Sequence, residues 1–179
     1  VNRQECLSER DRGFTLVEMI MAVAIMGIIT ATLGGAVYMA IRATSNNYTR
    51  LGQSNTEMVI TRYLTGDIQG ATSASPTSAA NNTVGCTGTT KLTTTAYAAA
   101  TETTPSLTVR WVVDGANGLL RCVYSGGSLQ SSMAVASGIT QFASSCTSPC
   151  ATVRVTFTAA GAGNVPARQF QVDVARRLT

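Results

Sequence analysis

From Met19 to Ile41 the chain runs for 23 residues without a charge. A helix needs only ~20 predominantly apolar residues to cross a hydrocarbon layer. The apolar residues here fall on all sides of a helical wheel, so the segment does not read as a core helix with one greasy stripe. It is predicted to be a membrane-inserted helix. It is not read as a removable secretory signal, because the apolar run exceeds the ~7–15 residues of such a core. The preceding stretch, Val1 to Gly13, carries three basic and three acidic residues and sums to zero, with Arg10 and Arg12 lying just before Gly13. Val1 itself is read as a GTG start translated literally. One carboxylate, Glu18, stands at the head of the apolar run, and the next charge is Arg42. A carboxylate in hydrocarbon costs a few kcal/mol, so Glu18 is expected to have a partner.

Beyond that run the residue inventory excludes several functions. The chain has no histidine, which removes the commonest general base and metal ligand. Only six acids follow Gly13 (Glu18, Glu57, Asp67, Glu102, Asp114 and Asp173), and Lys91 is the sole lysine. An enzyme is therefore not expected, and neither a cofactor nor a metal is implied. The net charge is +4, yet charged residues make up 12% of the chain, about half the ~25% of ordinary domains. The ten basic residues after Gly13 are spread out apart from Arg176 and Arg177, without the dense stripe of a nucleic-acid binder.

After Arg42 the pattern turns amphipathic. Tyr48, Leu51, Met58, Ile60, Tyr63, Leu64 and Ile68 recur mainly at three- and four-residue intervals, with Arg42, Arg50, Glu57, Arg62 and Asp67 as the polar side. One helix is predicted from Phe14 to about Gly66–Gly70, about 80 Å long at ~1.5 Å per residue. Gly27, Gly34 and Gly35 interrupt it, either as close-packing points or as places where it melts. Residues 71–106 are rich in Ser, Thr and Ala and broken by Pro76, Asn81, Asn82, Gly85 and Gly88, and are read as a solvated connection. The remainder is β. Leu107 to Val113 and Leu119 to Tyr124 form a hairpin around Asp114–Gly118. Further strands are expected near Met133–Val135, Ile139–Phe142, Val153–Phe157 and Phe170–Val174, the last two joined by a loop over Gly161–Pro166. An antiparallel sheet packed on the distal half of the helix follows.

Cys86, Cys122, Cys146 and Cys150 follow Gly13, an even number that reads as two disulfides with three possible connectivities. Cys146 and Cys150 close a small loop, and Cys122 shares a strand face with Leu120 and Tyr124 that is expected to point inward. The favoured pairing is Cys86–Cys122 with Cys146–Cys150. A four-cysteine zinc site is disfavoured by the spacing. Asp114 and Asn117 are read as a turn rather than a calcium site, since a lone Asp supplies little charge. Asn47–Thr49 and Asn81–Thr83 match a weak glycosylation pattern.

Gly13-Phe14-Thr15-Leu16-Val17-Glu18, followed by the long apolar run, resembles the class III signal of type IV pilins and type II secretion pseudopilins. The resemblance implies that residues 1–13 are a leader cut off by a prepilin peptidase between Gly13 and Phe14, with N-methylation of Phe14. It implies a membrane or filament-core half of the helix over 14–41, an amphipathic half over 42–70, and a connection and β head over 71–179. The fold class is then α+β, a pilin-like lollipop. Glu18 would meet the N-terminal ammonium of a neighbouring subunit. The order of Arg62–Ile68, Gly118–Arg121, Val135–Phe142 and the final strand with Arg176-Arg177 resembles J-type minor pseudopilins and related minor pilins. The function implied is a minor structural subunit that initiates or caps assembly of a pilus or pseudopilus. Its partners would be other pilin subunits and the inner-membrane assembly platform. It would start as a single-pass protein of the cytoplasmic membrane with its head outside the cytoplasm. The alternatives are a major pilin, or a DNA-binding minor pilin in which Arg110, Arg121, Arg154 and Arg168 align into a basic strip.

Overall fold

The computed structural model describes residues 15–99, 101–147 and 150–177. Gly13 and Phe14, the expected processing residues, lie outside the described residues. Among the described residues one helix, α1, spans Leu16–Gln69 and is followed by eight strands. The chain divides into two compact units, 1–45 and 46–179.

In the first unit α1 exposes nearly every large apolar side chain, including Leu16, Ile20, Val23, Ile28, Leu33 and Ile41. By length and composition α1 is able to cross a membrane. The hydroxyls within this stretch are satisfied by the helix itself. Thr32 donates to the carbonyl of Ile29 at 2.9 Å and Thr44 to that of Ala40 at 2.8 Å. Such back-bonding removes the cost of carrying a bare hydroxyl into hydrocarbon. Among the described residues, nothing beyond the helix's own neighbouring backbone lies within 4 Å of where a Cβ would stand on Gly27, Gly34 or Gly35, so contacts there do not require glycine.

In the second unit the helix residues Ile60, Leu64 and Ile68 are fully buried, and Gln53 nearly so. Tyr48, Leu51 and Met58 are instead 64–72% exposed. The expected single apolar face is therefore two faces. At about 100° per residue, Leu51 and Met58 fall roughly opposite Ile60 and Leu64, although the intervals look continuous along the chain. Gln53 anchors the buried side by donating from Nε2 to the carbonyls of Ala160 and Pro166, at 3.1 and 3.0 Å.

The Ser/Thr-rich stretch is not a connection. It folds into β1 (Ser73–Thr83) and β2 (Cys86–Ala96), an antiparallel hairpin turned by Val84 and Gly85, the latter at φ 82°. Threonine's branched Cβ suits a pleated surface. Along β2, Cys86, Thr90, Leu92 and Thr94 are buried. Pro76 is tolerated because β1 is an edge strand with a bulge between Pro76 and Ala79. Only the segment after Ala96 is a loop, where Glu102 accepts hydrogen bonds from the Ala98 N–H and the Ser106 hydroxyl.

The expected single sheet is also two. β3 (Leu107–Val113), β4 (Leu119–Ser125) and β5 (Ser128–Ala136) join the hairpin in a five-stranded sheet of order β1-β2-β3-β4-β5. β6 (Ile139–Cys146), β7 (Thr152–Ala159) and β8 (Arg168–Ala175) form a three-stranded sheet. One core serves both sheets and the helix. It holds Ile60, Leu64, Ile68, Leu92, Trp111, Leu119, Phe157 and their neighbours. An aromatic row crosses it: Trp111 stacks on Phe142 at 6.4 Å, Phe142 on Phe157 at 6.5 Å, and Phe157 on Phe170 at 5.2 Å. Trp111 belongs to the larger sheet and the three phenylalanines to the smaller, so the row ties the two together.

The five-stranded sheet has a second, smaller cluster on the face away from α1: Cys86, Val112, Cys122 and Tyr124, flanked by Leu120 and Leu129. Cys122 therefore points inward into this cluster and not toward the helix, because strand residues alternate and its neighbours Arg121 and Val123 take the helix side. The end of the β1–β2 hairpin covers the cluster. Cys86 and Cys122 are bonded, Asn81 Nδ2 donates to the Tyr124 hydroxyl at 3.0 Å, and Gly85 lies beside Leu129 and Ser132. The chain reaches that position by passing flush against β3 at Gly88. Its φ is 151°, and a Cβ there would meet the Val113 carbonyl oxygen at 2.3 Å. Gly88→Ala is accordingly expected to cost more than about 1 kcal/mol. Urea unfolding of the variant measures this, and an unchanged midpoint would contradict the close approach.

Candidate assembly site

At the N-terminal end of α1 a polar pair opens the apolar helix. The Thr15 N–H and hydroxyl both donate to Glu18 Oε2 at 3.0 Å, and the Glu18 N–H donates back to the Thr15 hydroxyl at 3.3 Å. This is a capping box, in which the Ncap hydroxyl and the N3 carboxylate satisfy each other's free backbone donors. Thr15-Leu16-Val17-Glu18 has the T-x-x-E spacing for it, a local signal in the sequence that is additional to the charge of Glu18. The cap engages Oε2; no hydrogen bond to Oε1 is found among the described residues. Below Glu18 the helix carries an exposed apolar strip of Met19, Ala22, Val23 and Met26. Glu18, Ala22 and Met26 are four residues apart and share one face. No basic group among the described residues pairs with Glu18. A carboxylate at the top of an apolar strip is suited to receive one cationic group together with an apolar helix face.

In the head the fold brings together Asp67 and Arg121, 54 positions apart in the chain. Asp67, at the end of α1, accepts from Arg121 Nε at 2.8 Å, Arg121 Nη2 at 2.6 Å and Trp111 Nε1 at 3.0 Å. The Asp67 side chain is 8% exposed and that of Arg121 23%. The hydrogen bonds to Asp67 raise the pKa of Arg121 above its ordinary value, against the opposing effect of burial. Tyr63 lies under the guanidinium at 5.9 Å. One carboxylate thus fixes the helix end to β3 and β4. At the other side of the helix end, Arg176 Nη1 donates to the Thr72 carbonyl at 2.7 Å.

The four arginines of the proposed basic strip do not align. Arg121 lies on the helix side of its sheet, bound to Asp67, whereas Arg110 pairs with Cys122 on the opposite face and stacks over Tyr124 at 4.7 Å. Arg154 is held by both oxygens of Asp173, at 2.8 and 3.2 Å, and hydrogen bonding from Arg154 lowers the Asp173 pKa. Arg168 sits over Phe170 at 4.9 Å. A strip for a phosphate backbone needs its cations on one surface.

The Asp114 turn is occupied by its own backbone. Asp114 Oδ1 accepts from the N–H groups of Ala116 at 2.9 Å and Gly118 at 2.6 Å. Asn117 adopts φ 60°. Among the described residues no group of three His, Cys, Asp or Glu side chains is placed to hold a metal ion. Of the two glycosylation patterns, Asn81 is 3% exposed and its side-chain oxygen accepts from the Thr83 hydroxyl at 3.0 Å. A glycan at Asn81 would have no room. Besides Cys86–Cys122, the structure contains a Cys146–Cys150 disulfide, at the turn between β6 and β7.

Comparison with known families matches residues 9–34 to the prokaryotic N-terminal methylation motif. Searches of curated proteins and of solved structures return no significant match.

Proposed function

We propose, starting from a chain that carries this type IV prepilin signal, that it is a minor pilin or pseudopilin. In this reading a prepilin peptidase removes residues 1–13, Phe14 becomes the methylated N-terminus, and residues 14–41 hold the subunit in the cytoplasmic membrane. The head faces away from the cytoplasm until the subunit joins a filament at its start or tip. The observation that carries the reading is the methylation motif over residues 9–34, set on an exposed apolar helix. The two head disulfides fit an oxidising compartment.

Glu18 takes the new amino terminus of the neighbouring subunit in this reading. The pair removes two charges from hydrocarbon and sets the axial register between subunits. The cap leaves Glu18 Oε1 for that contact. The test is intact mass and N-terminal sequencing of the chain purified from membranes of its host. The expected product starts at Phe14 and is one methyl group heavier than its sequence. A product that retains residues 10–13, or starts at an unmethylated residue, overturns the reading. Stoichiometry separates the subunit types: a minor subunit is a trace band in purified filaments, and a dominant band makes this a major pilin.

A further inference from the structure

The end of the β1–β2 hairpin, residues 81–88, lies on an apolar cluster to which it contributes little. Val84 at its tip is 90% exposed. Asn81, Asn82, Thr83 and Thr87 are polar, and Gly85 and Gly88 have no side chain. Cys86 alone is both apolar and fully buried. Beneath it lie Val112 and Tyr124, 0% and 4% exposed, with Leu120 and Leu129 around them. Burial of apolar side chains on the covering segment therefore does little to hold it down. The fasteners are the Cys86–Cys122 bond and the hydrogen bond from Asn81 to Tyr124. The base of the same hairpin is anchored separately, through Ala74 and Leu92 in the main core. Gly88, in a backbone conformation that side chains rarely adopt, stands between base and tip as the point where the hairpin bends over the sheet.

We propose that residues 81–88 are a redox-latched flap: they close over the outer face of the five-stranded sheet when Cys86 and Cys122 are joined, and lift when both are thiols. On closing, the two thiols pass two electrons and two protons to a disulfide oxidant, which leaves as a dithiol. Lifting is the reverse exchange with a dithiol reductant. In the open state Val112, Leu120 and Leu129 lose their cover, beside Tyr124, whose ring Arg110 still overlies at 4.7 Å. The biological setting rests on the exported-head reading above. A head meets the oxidant only after crossing the membrane, so the patch is masked only on heads that have arrived.

The test is hydrogen exchange read by mass spectrometry on the full chain in detergent. Three states are compared: oxidised, reduced with a phosphine, and oxidised Cys86→Ser/Cys122→Ser. Cys146→Ser/Cys150→Ser serves as the control for the other bridge. The expected result is exchange about tenfold faster or more at residues 81–88 in the reduced protein and in the first variant, with residues 120–124, paired on both sides, still protected. Residues 153–157 stay protected, and the control matches the oxidised protein at the flap. Unchanged protection of 81–88 without the bond overturns the proposal. So does an equal rise in the main core, which marks general unfolding and not a hinged flap. Alkylation of cysteines in intact cells is a separate arm. Free Cys86 and Cys122 there would defeat the exported-head setting and leave the flap result standing.

Discussion

Asp67→Ala is expected to destabilise the 46–179 unit by about 3 kcal/mol, toward the lower end of the ~3–5 kcal/mol seen when one member of a buried ion pair is removed. Two groups lose their acceptor at once. The Trp111 indole N–H is left without a partner in the core, where Trp111 is 0% exposed. Arg121 keeps its charge and loses the carboxylate it binds through two nitrogens. The lower end applies because the Arg121 side chain is 23% exposed and part of the guanidinium still reaches water. Asp67→Asn keeps an acceptor for Trp111 and removes the charge, so its expected cost is smaller, about 1–2 kcal/mol. In Asp67→Ala/Arg121→Met the stranded cation is gone, and stability should recover in part relative to Asp67→Ala. Urea unfolding followed by Trp111 fluorescence reads all three. An Asp67→Ala protein within 0.5 kcal/mol of wild type, on the order of a surface substitution, would show that the contact contributes little to holding the helix end.

How much of this was legible in the sequence depends on which physical signal each part carries. The apolar run of α1 and the strands with alternating valines and aromatics were legible because burial is written in hydrophobicity. Leu107–Val113 and Thr152–Ala159 are examples. The β1–β2 hairpin was not, because its strands carry threonine where apolar residues usually stand. Thr90 and Thr94 are 4% and 2% exposed, although threonine resembles solvent-facing sequence. Gly85, read as a breaker, marks the turn of a hairpin. The two faces of the distal helix were merged because three- and four-residue intervals, taken locally, do not record how phase accumulates. Asp67 and Arg121 lie 54 positions apart, and no local spacing links them. The capping box differs: its T-x-x-E signal is local, at Thr15–Glu18, and the same carboxylate is both a charge in an apolar run and a backbone acceptor. The division into two sheets had no local signal, since β6 packs against β1 and β2 without forming a ladder with either.

That double role of Glu18 sets the second large effect. If the chain is processed and assembled as proposed, Glu18→Ala is expected to leave membrane insertion and removal of residues 1–13 intact while reducing filament incorporation by roughly 100-fold or more, the scale of a charge stranded in low dielectric. Without the carboxylate, the neighbour's N-terminal ammonium would enter an apolar environment unpaired. Alanine also deletes the cap, so that variant alone does not separate pairing from helix initiation. Glu18→Gln does. Glutamine is accepted at the third position of a capping box, so the Thr15 N–H keeps its acceptor and the helix keeps its start. Only the charge is lost. Loss of the cap alone is worth ~0.5–2 kcal/mol and should appear as fraying of the first turn, not as failure to assemble. The pairing reading therefore requires Glu18→Gln to be nearly as defective as Glu18→Ala when subunits are counted in sheared filaments. If Glu18→Gln assembles like wild type and Glu18→Ala does not, the carboxylate acts within its own helix, and the neighbouring ammonium must find its counter-charge elsewhere.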